Sequence, residues 1–404
     1  MKRAMKELAH GAWRLLPQDF RRNAMSGLAA SLARRPDANP PAASDGIVVA
    51  GDVTGWNGLA ESARIMHQVI ATAGLSRGMV PLGLPSVVPA YEGELPAGAA
   101  VLAVVNAPFL PVALLRMRRD FLKNRRVIGM WAWELSVLPR QWRYGAGFAH
   151  EIWAPSPFAA AAIEGMAPGR VRFVPYPIGA VELAVEGDRA LFGLPEDALV
   201  VLTVFNLSSS PNRKNPAGNI AAFRAAFGER RDCLFVMKIS GSESYEEDLR
   251  EIKEAVGDAK NIRLMIGTMP EAQLRGLIAA ADIVLSLHRS EGFGLIPATG
   301  MLLGRPVVAT GWSGNMGFMT AESSVLVDYK LIPAVDPRGV YRVADGMWAE
   351  PDLDSAVAGL RALAESAAMR ARIGEAGREQ ARMALGSGPI LRALAANGVT
   401  SAAA

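Results

Sequence analysis

Between Ser286 and Asn315 the chain reads SLHRSEGFGLIPATGMLLGRPVVATGWSGN, with one carboxylate, Glu291, opening the glycine-broken run Gly292-Phe293-Gly294-Leu295. A helix entered through glycines leaves its first N–H groups unpaired and turns a positive dipole end outward, which suits a diphosphate. Ordinary glycine-containing turns share these features, so the loop alone is a weak signal. Cations stand upstream. Arg213 and Lys214 lie in NLSSSPNRKNP, just before a helix opened by Pro216, and Lys238 closes the next apolar run, VMKIS. His288 and Arg289 precede the glycine loop. Thr299 follows Glu291 by eight residues, and Thr310 and Asn315 flank the turn Gly311-Trp312-Ser313-Gly314.

These residues must be held by a scaffold, and the patterning names it. From Gly46 to about residue 178, apolar runs (GIVVAGDV, MVPLGL, AAVLAVVNAP, RRVIGMWAWE, EIWAPS, RVRFVPYPI) alternate with helical segments, one of them expected over residues 139–148. After an irregular stretch, the alternation restarts with ALVVLTVF, CLFVMKIS, NIRLMIG, DIVLSLH, RPVVAT and SSVLVDY. Buried strands alternating with helices imply parallel, doubly wound α/β sheets, in which ligands bind at the carboxyl ends of the strands. Two Rossmann-like domains are expected, over residues 46–185 and 190–370. Two helices follow Pro351, with a frayed tail.

The chain has 404 residues, half of them apolar and a fifth charged, enough for two cores. The single Cys233 sits in an apolar run, which excludes an internal disulfide framework and fits a reducing compartment. No signal-peptide or membrane-spanning pattern is legible, so a soluble or peripheral cytoplasmic protein is expected. The formal charge of +4 is uneven: residues 1–35 hold eight basic and two acidic residues, a net +6, leaving −2 for the remainder. Nothing outside this arm calls for nucleic acid. Arm and linker cover residues 1–45, with Pro17 dividing the arm into two short helices. A basic, Trp-containing amphipathic arm suits an anionic membrane surface; a helix packed on its own domain fits the pattern equally well.

The order E-G-F-G-L, an apolar helix, then G-R-P-V-V-A-T-G resembles the donor-site segment of family-4 (group 1) retaining glycosyltransferases of the GT-B fold. The resemblance extends from about Gly46 to Gly386. It implies two Rossmann-like domains facing across a cleft, with the last helix, in residues 371–404, crossing back to the first. It also implies sugar transfer from a nucleotide-diphosphate donor without a metal ion or other cofactor. Glu291 would take the sugar hydroxyls, the N–H groups of Gly292 to Leu295 the phosphates, and Lys214 the diphosphate charge, with Arg213, His288, Arg289, Thr310 and Asn315 bordering the donor.

Two positions depart from the family. Ser208 stands where an arginine is usual, and Lys238 is the candidate replacement. Thr299 stands where a ribose-holding glutamate is usual, which removes a charge-assisted bond. On the acceptor side, Gly55-Trp56-Asn57-Gly58 matches the glycine-rich loop of the family. Trp131 and Trp133, with Glu134, stand in a loop where relatives carry a histidine, and they serve either as a sugar platform or as domain core. The Asp352-Leu353-Asp354 run resembles a metal motif only in letters, and helix capping explains it better.

The implied function is retaining hexosyl transfer, by family habit of mannose from a guanine nucleotide, to a glycan or lipid-linked acceptor in cell-surface polysaccharide assembly. A GT-B nucleotide-sugar epimerase and an inactive sugar-nucleotide-binding scaffold are the alternatives.

Overall fold

The computed structural model describes residues 13, 16–55, 57–84, 90–183, 185 and 187–400. The apolar runs form two six-stranded parallel sheets. The first contains β1 (Ile47–Gly51), β2 (Ser76–Pro81), β3 (Ala100–Val104), β4 (Val127–Met130), β5 (Glu151–Ala154) and β6 (Val171–Phe173), in the order β2-β1-β3-β4-β5-β6. The second contains β7 (Leu199–Asn206), β8 (Cys233–Ser240), β9 (Ile262–Ile266), β10 (Ile283–Ser286), β11 (Val307–Thr310) and β12 (Val325–Val327), in the order β12-β11-β10-β7-β8-β9. Strands β1, β3 and β4 are buried at every position, because helices cover both faces of a parallel sheet. Each sheet reverses its winding once, between β1 and β3 and between β7 and β10. Such switch points open a crevice at the strands' carboxyl ends. Here those ends border one interdomain cleft of about 670 Å³.

The domains share a core. Val49, Leu102 and Met130 of the first sheet belong to one buried cluster with Leu202, Val236 and Val284 of the second. The helix Ala367–Ala384 reaches the first domain, where Gly179 N–H donates to the Leu385 carbonyl at 2.9 Å.

The structure corrects three local expectations. Residues 139–148 form two short 3-10 turns, Arg140–Tyr144 and Ala146–Phe148, instead of one helix. Gly145 lies so close to the Ala107 carbonyl that a Cβ there would meet it at 2.1 Å, and this packing fixes the break between the turns. The tail is ordered through Thr400. A further helix, Gly388–Ala396, buries Ile390 and Leu394, and Thr400 bonds to Ala43 and Gly46 beside β1. The run SSVLVDY is two strands, β12 and then β13 (Tyr329–Pro333), which pairs antiparallel with β14 (Met347–Pro351). This hairpin sends Tyr341 and Trp348 into a buried cluster with Trp131, Trp133 and Trp142 of the first domain.

In the arm, Pro17 precedes a single helix, Gln18–Leu32; the segment before it lies largely outside the described residues. The inward face is made of small residues, Ser26, Ala29 and Ala30, with Gly27 against the Tyr144 ring. The outward face carries Phe20, Met25, Leu28 and Leu32, each more than half exposed.

Candidate active site

The loops after β7 and β10 flank the switch point of the second sheet, and their contents meet on the cleft floor. After β7 the chain runs through Ser210 (φ 62°) and Asn215 (φ 54°), two non-glycine residues in the left-handed region, with the one-turn helix Pro211–Lys214 between them. Strain of this kind costs about 1–3 kcal/mol per residue and persists where the surroundings fix it. Here the Asn215 side chain donates to the Leu287 carbonyl at 2.9 Å, and Asn219 accepts from Leu287 N–H at 3.1 Å. The cationic loop is thereby tied to the end of β10.

Glu291 receives the two cations. Lys214 Nζ donates to Glu291 Oε1, and Arg213 Nη1 lies 3.2 Å from Oε2. Burial alone would raise the Glu291 carboxyl, but Lys214, Arg213 and His288 hold it down to about 2. Burial pulls the Lys214 ammonium below its ordinary value against the attraction of Glu291. Arg213 Nη2 stands 4.0 Å from Glu134 of the first domain, so one guanidinium spans two carboxylates from opposite sides of the cleft. Burial pushes the Glu134 carboxyl up, opposed by Arg213 and reinforced by Glu291. Tyr341, from the hairpin, lies 5.6 Å under the Arg213 guanidinium.

The glycine loop is pinned from both domains. Ser156 Oγ donates to the Gly292 carbonyl at 2.7 Å, and Glu291 N–H donates to Ser313 Oγ at 2.8 Å. Gly314 passes so close that a Cβ there would meet Gly292 at 2.4 Å. Gly294 (φ 99°) then opens the helix Leu295–Leu302, which has no side-chain cap. Gly294, Leu295 and Ile296 border the cleft. Pro297 lacks an N–H, so the unpaired donors are concentrated at the cleft edge.

The other anticipated residues divide into two groups. Asn57 and Gly58 border the cleft from the first domain, where Asn57 also caps the helix Gly58–Thr72. Gly55 sits just behind them, its N–H bonded to Asp52 Oδ1 at 2.8 Å. Trp56 lies outside the described residues. Thr299 borders the cleft, but its hydroxyl donates to the Leu295 carbonyl at 2.8 Å. Lys238 is reached by the cleft at the end of β8, and its ammonium donates to the Gly267 carbonyl.

The second group lies away from the cleft. Arg289 turns outward and pairs with Glu350 of β14, so it anchors the hairpin and does not reach the donor side. His288, Thr310 and Asn315 form a buried network behind the glycine loop: His288 Nε2 meets Asn315 Oδ1 at 3.0 Å, and Thr310 Oγ1 donates to the His288 carbonyl at 2.6 Å. Burial lowers the His288 imidazole, favouring its neutral form. Phe293 differs from these: it borders the cleft, with its ring buried edge-on against Tyr176 at 4.9 Å between centroids. Trp131 and Trp133 are core, packed edge-to-face on Trp142, which leaves Ala132 and Glu134 as the members of that loop on the cleft. Asp352 accepts from Ser355 N–H at 2.8 Å and caps a helix.

Glu61, Thr268, Met269, Glu271 and Arg275 also border the cleft, beyond the residues the sequence singles out. The turn Gly267-Thr268-Met269-Pro270 directly after a strand was the available signal. Tyr341 had none, because it arrives on the long connection between β13 and β14.

This architecture, two Rossmann-type sheets meeting at their switch points, is GT-B. The sucrose-phosphate synthase of Thermosynechococcus elongatus superposes with a TM-score of 0.62 at 16% identity, over 87% of this chain and 99% of that one. A glycosyltransferase from Rickettsia africae gives 0.62 at 12% identity, over 88% and 98%. Anabaena HepE in complex with UDP gives 0.58 at 14% identity, over 87% and 98%. Residues 198–338 match the family model described as glycosyl transferases group 1. No curated protein matches it.

Proposed function

We propose that this protein is a retaining hexosyltransferase that moves a sugar from a nucleotide-diphosphate donor to a glycan or lipid-linked acceptor. The observation that carries this is the meeting of Lys214, Arg213 and Glu291 beside the uncapped start of the helix Leu295–Leu302. The UDP held by HepE, on the same fold, supports a nucleotide donor. In this reading Lys214 and the N–H groups of Gly294, Leu295 and Ile296 neutralise the leaving diphosphate. Lys214 exchanges its bond to Glu291 for the phosphate, which frees a Glu291 oxygen for a sugar hydroxyl. Glu134 borders the sugar from the opposite wall. The departing phosphate oxygen accepts the acceptor's proton on the same face, so no side chain is required as the base. Mannose and a role in cell-surface polysaccharide assembly complete the proposal.

The arm adds a place of work. Its helix presents Phe20, Met25, Leu28 and Leu32 to solvent beside Arg21, Arg34 and Arg35, a combination that suits the anionic inner face of a membrane carrying a lipid-linked acceptor.

The test is donor turnover. Incubated with UDP- and GDP-hexoses, the full chain should release nucleoside diphosphate and sugar of retained anomeric configuration. Release of a free epimer would favour the epimerase reading, and tight nucleotide binding without turnover on any acceptor would favour the scaffold.

A further inference from the structure

Lys238 does not join the cations around Glu291. Strand β8 lies on the far side of β7 from β10, and β9 lies beyond it. At about 4.8 Å per strand spacing, β8 stands on the order of 10 Å from β10 and β9 about 14 Å from it. If the hexose and diphosphate occupy the β10–β7 end, as proposed above, the nucleoside must extend over β8 and β9.

That end of the cleft is built differently. Val204 and Met265 flank Lys238 in register on the same face of the sheet. Val204, Met269, Leu274 and Ile278 line it with apolar side chains, and Thr268, Glu271 and Arg275 border it as well. Lys238 is 4% exposed, and its one hydrogen bond among the described residues runs to the Gly267 carbonyl. An ammonium has three N–H donors, so two remain for a ligand. A largely apolar space with one buried, donor-only group is complementary to an aromatic base that offers an oxygen.

We infer that Lys238 is a specificity residue that reads the nucleobase, selecting bases with a ring carbonyl oxygen, such as uracil and guanine, over adenine. Adenine presents only ring nitrogens and an amino group, so it leaves the buried ammonium short of an oxygen acceptor. A site built to bond a ligand group rejects the analogue that lacks it.

The inference rests on the donor-site reading, and calorimetric titration of the full chain separates the two. UDP, GDP, ADP and inorganic pyrophosphate are each titrated into the wild type, Lys238→Met, Lys238→Arg and Lys214→Met. The wild type should bind UDP or GDP about tenfold or more tighter than ADP, as one charge-assisted bond allows. Lys238→Met should bring the three nucleotides to within about twofold of one another, with pyrophosphate affinity unchanged and Lys238→Arg partly restoring the preference. Lys214→Met should weaken all four ligands. Equal binding of ADP by the wild type would overturn the inference whether or not the variants fold. So would a Lys238→Met protein that loses pyrophosphate as strongly as nucleotide, because the lysine would then belong to the phosphates. If pyrophosphate binds and no nucleoside diphosphate binds more tightly than it, the donor-site reading fails and the inference falls with it.

Discussion

Glu291 is a buried carboxylate held by two cations, and two outcomes follow from that. Glu291→Ala should lower transfer by more than about tenfold, roughly 1.4 kcal/mol or more of transition-state stabilisation, with a native circular-dichroism spectrum. An unchanged rate in the folded variant would remove it from the site. The second outcome concerns pH. The folded carboxyl titrates near 2, below its ordinary 4.5. Its contribution to stability is therefore fully present above about pH 4.5 and is lost as pH falls toward 2. Denaturation midpoints of wild type and Glu291→Gln should converge across that window, and a constant difference would show that the charge is not stabilised in the fold. Gly314 belongs to the same scale. A methyl there meets Gly292 at 2.4 Å, so Gly314→Ala should displace the glycine loop, costing about 1–3 kcal/mol in stability and lowering turnover. An equally stable and active variant would show that the loop has room.

The strands were legible because a parallel strand covered on both faces is a continuous apolar run between glycine turns, whereas their order in each sheet was not. The loop at Glu291 and the cations at 213 and 214 were legible because they stand in the polar loops that follow two such runs, and because E-G-F-G-L resembles a donor-site segment. What could not be read was which way a side chain points once the loop turns. His288 and Arg289 are neighbours in sequence, yet one is buried behind the loop and the other clamps a hairpin through Glu350. Trp131 and Trp133 read equally well as platform or core, and only the arrival of Trp142 and Tyr341 decides for core. The arm likewise could not be oriented from its sequence. Its large apolar residues face outward because small ones fit against Tyr144. Replacing Phe20, Leu28 and Leu32 together by Ser should abolish binding to phosphatidylglycerol-rich vesicles while sparing donor hydrolysis in solution. Wild-type binding should fall steeply with added salt. Vesicle binding that survives the triple substitution would assign the helix to other partners.

Across the whole molecule, the two domains are joined by more than a hinge. A shared apolar cluster, the Arg213 bridge between Glu134 and Glu291, the hairpin and the returning C-terminal helices all cross between them. The cleft is consequently assembled from both halves, and a ligand that fills it should stabilise the fold as a unit through mass action. The most direct measurement is the thermal midpoint of the full chain across a concentration series of nucleoside diphosphate. UDP or GDP should raise the midpoint progressively, the corresponding nucleoside should have far less effect, and Lys214→Ala should remove most of the shift. A midpoint indifferent to every nucleoside diphosphate at millimolar concentration, or a shift that survives the loss of Lys214 intact, would contradict the donor-site reading.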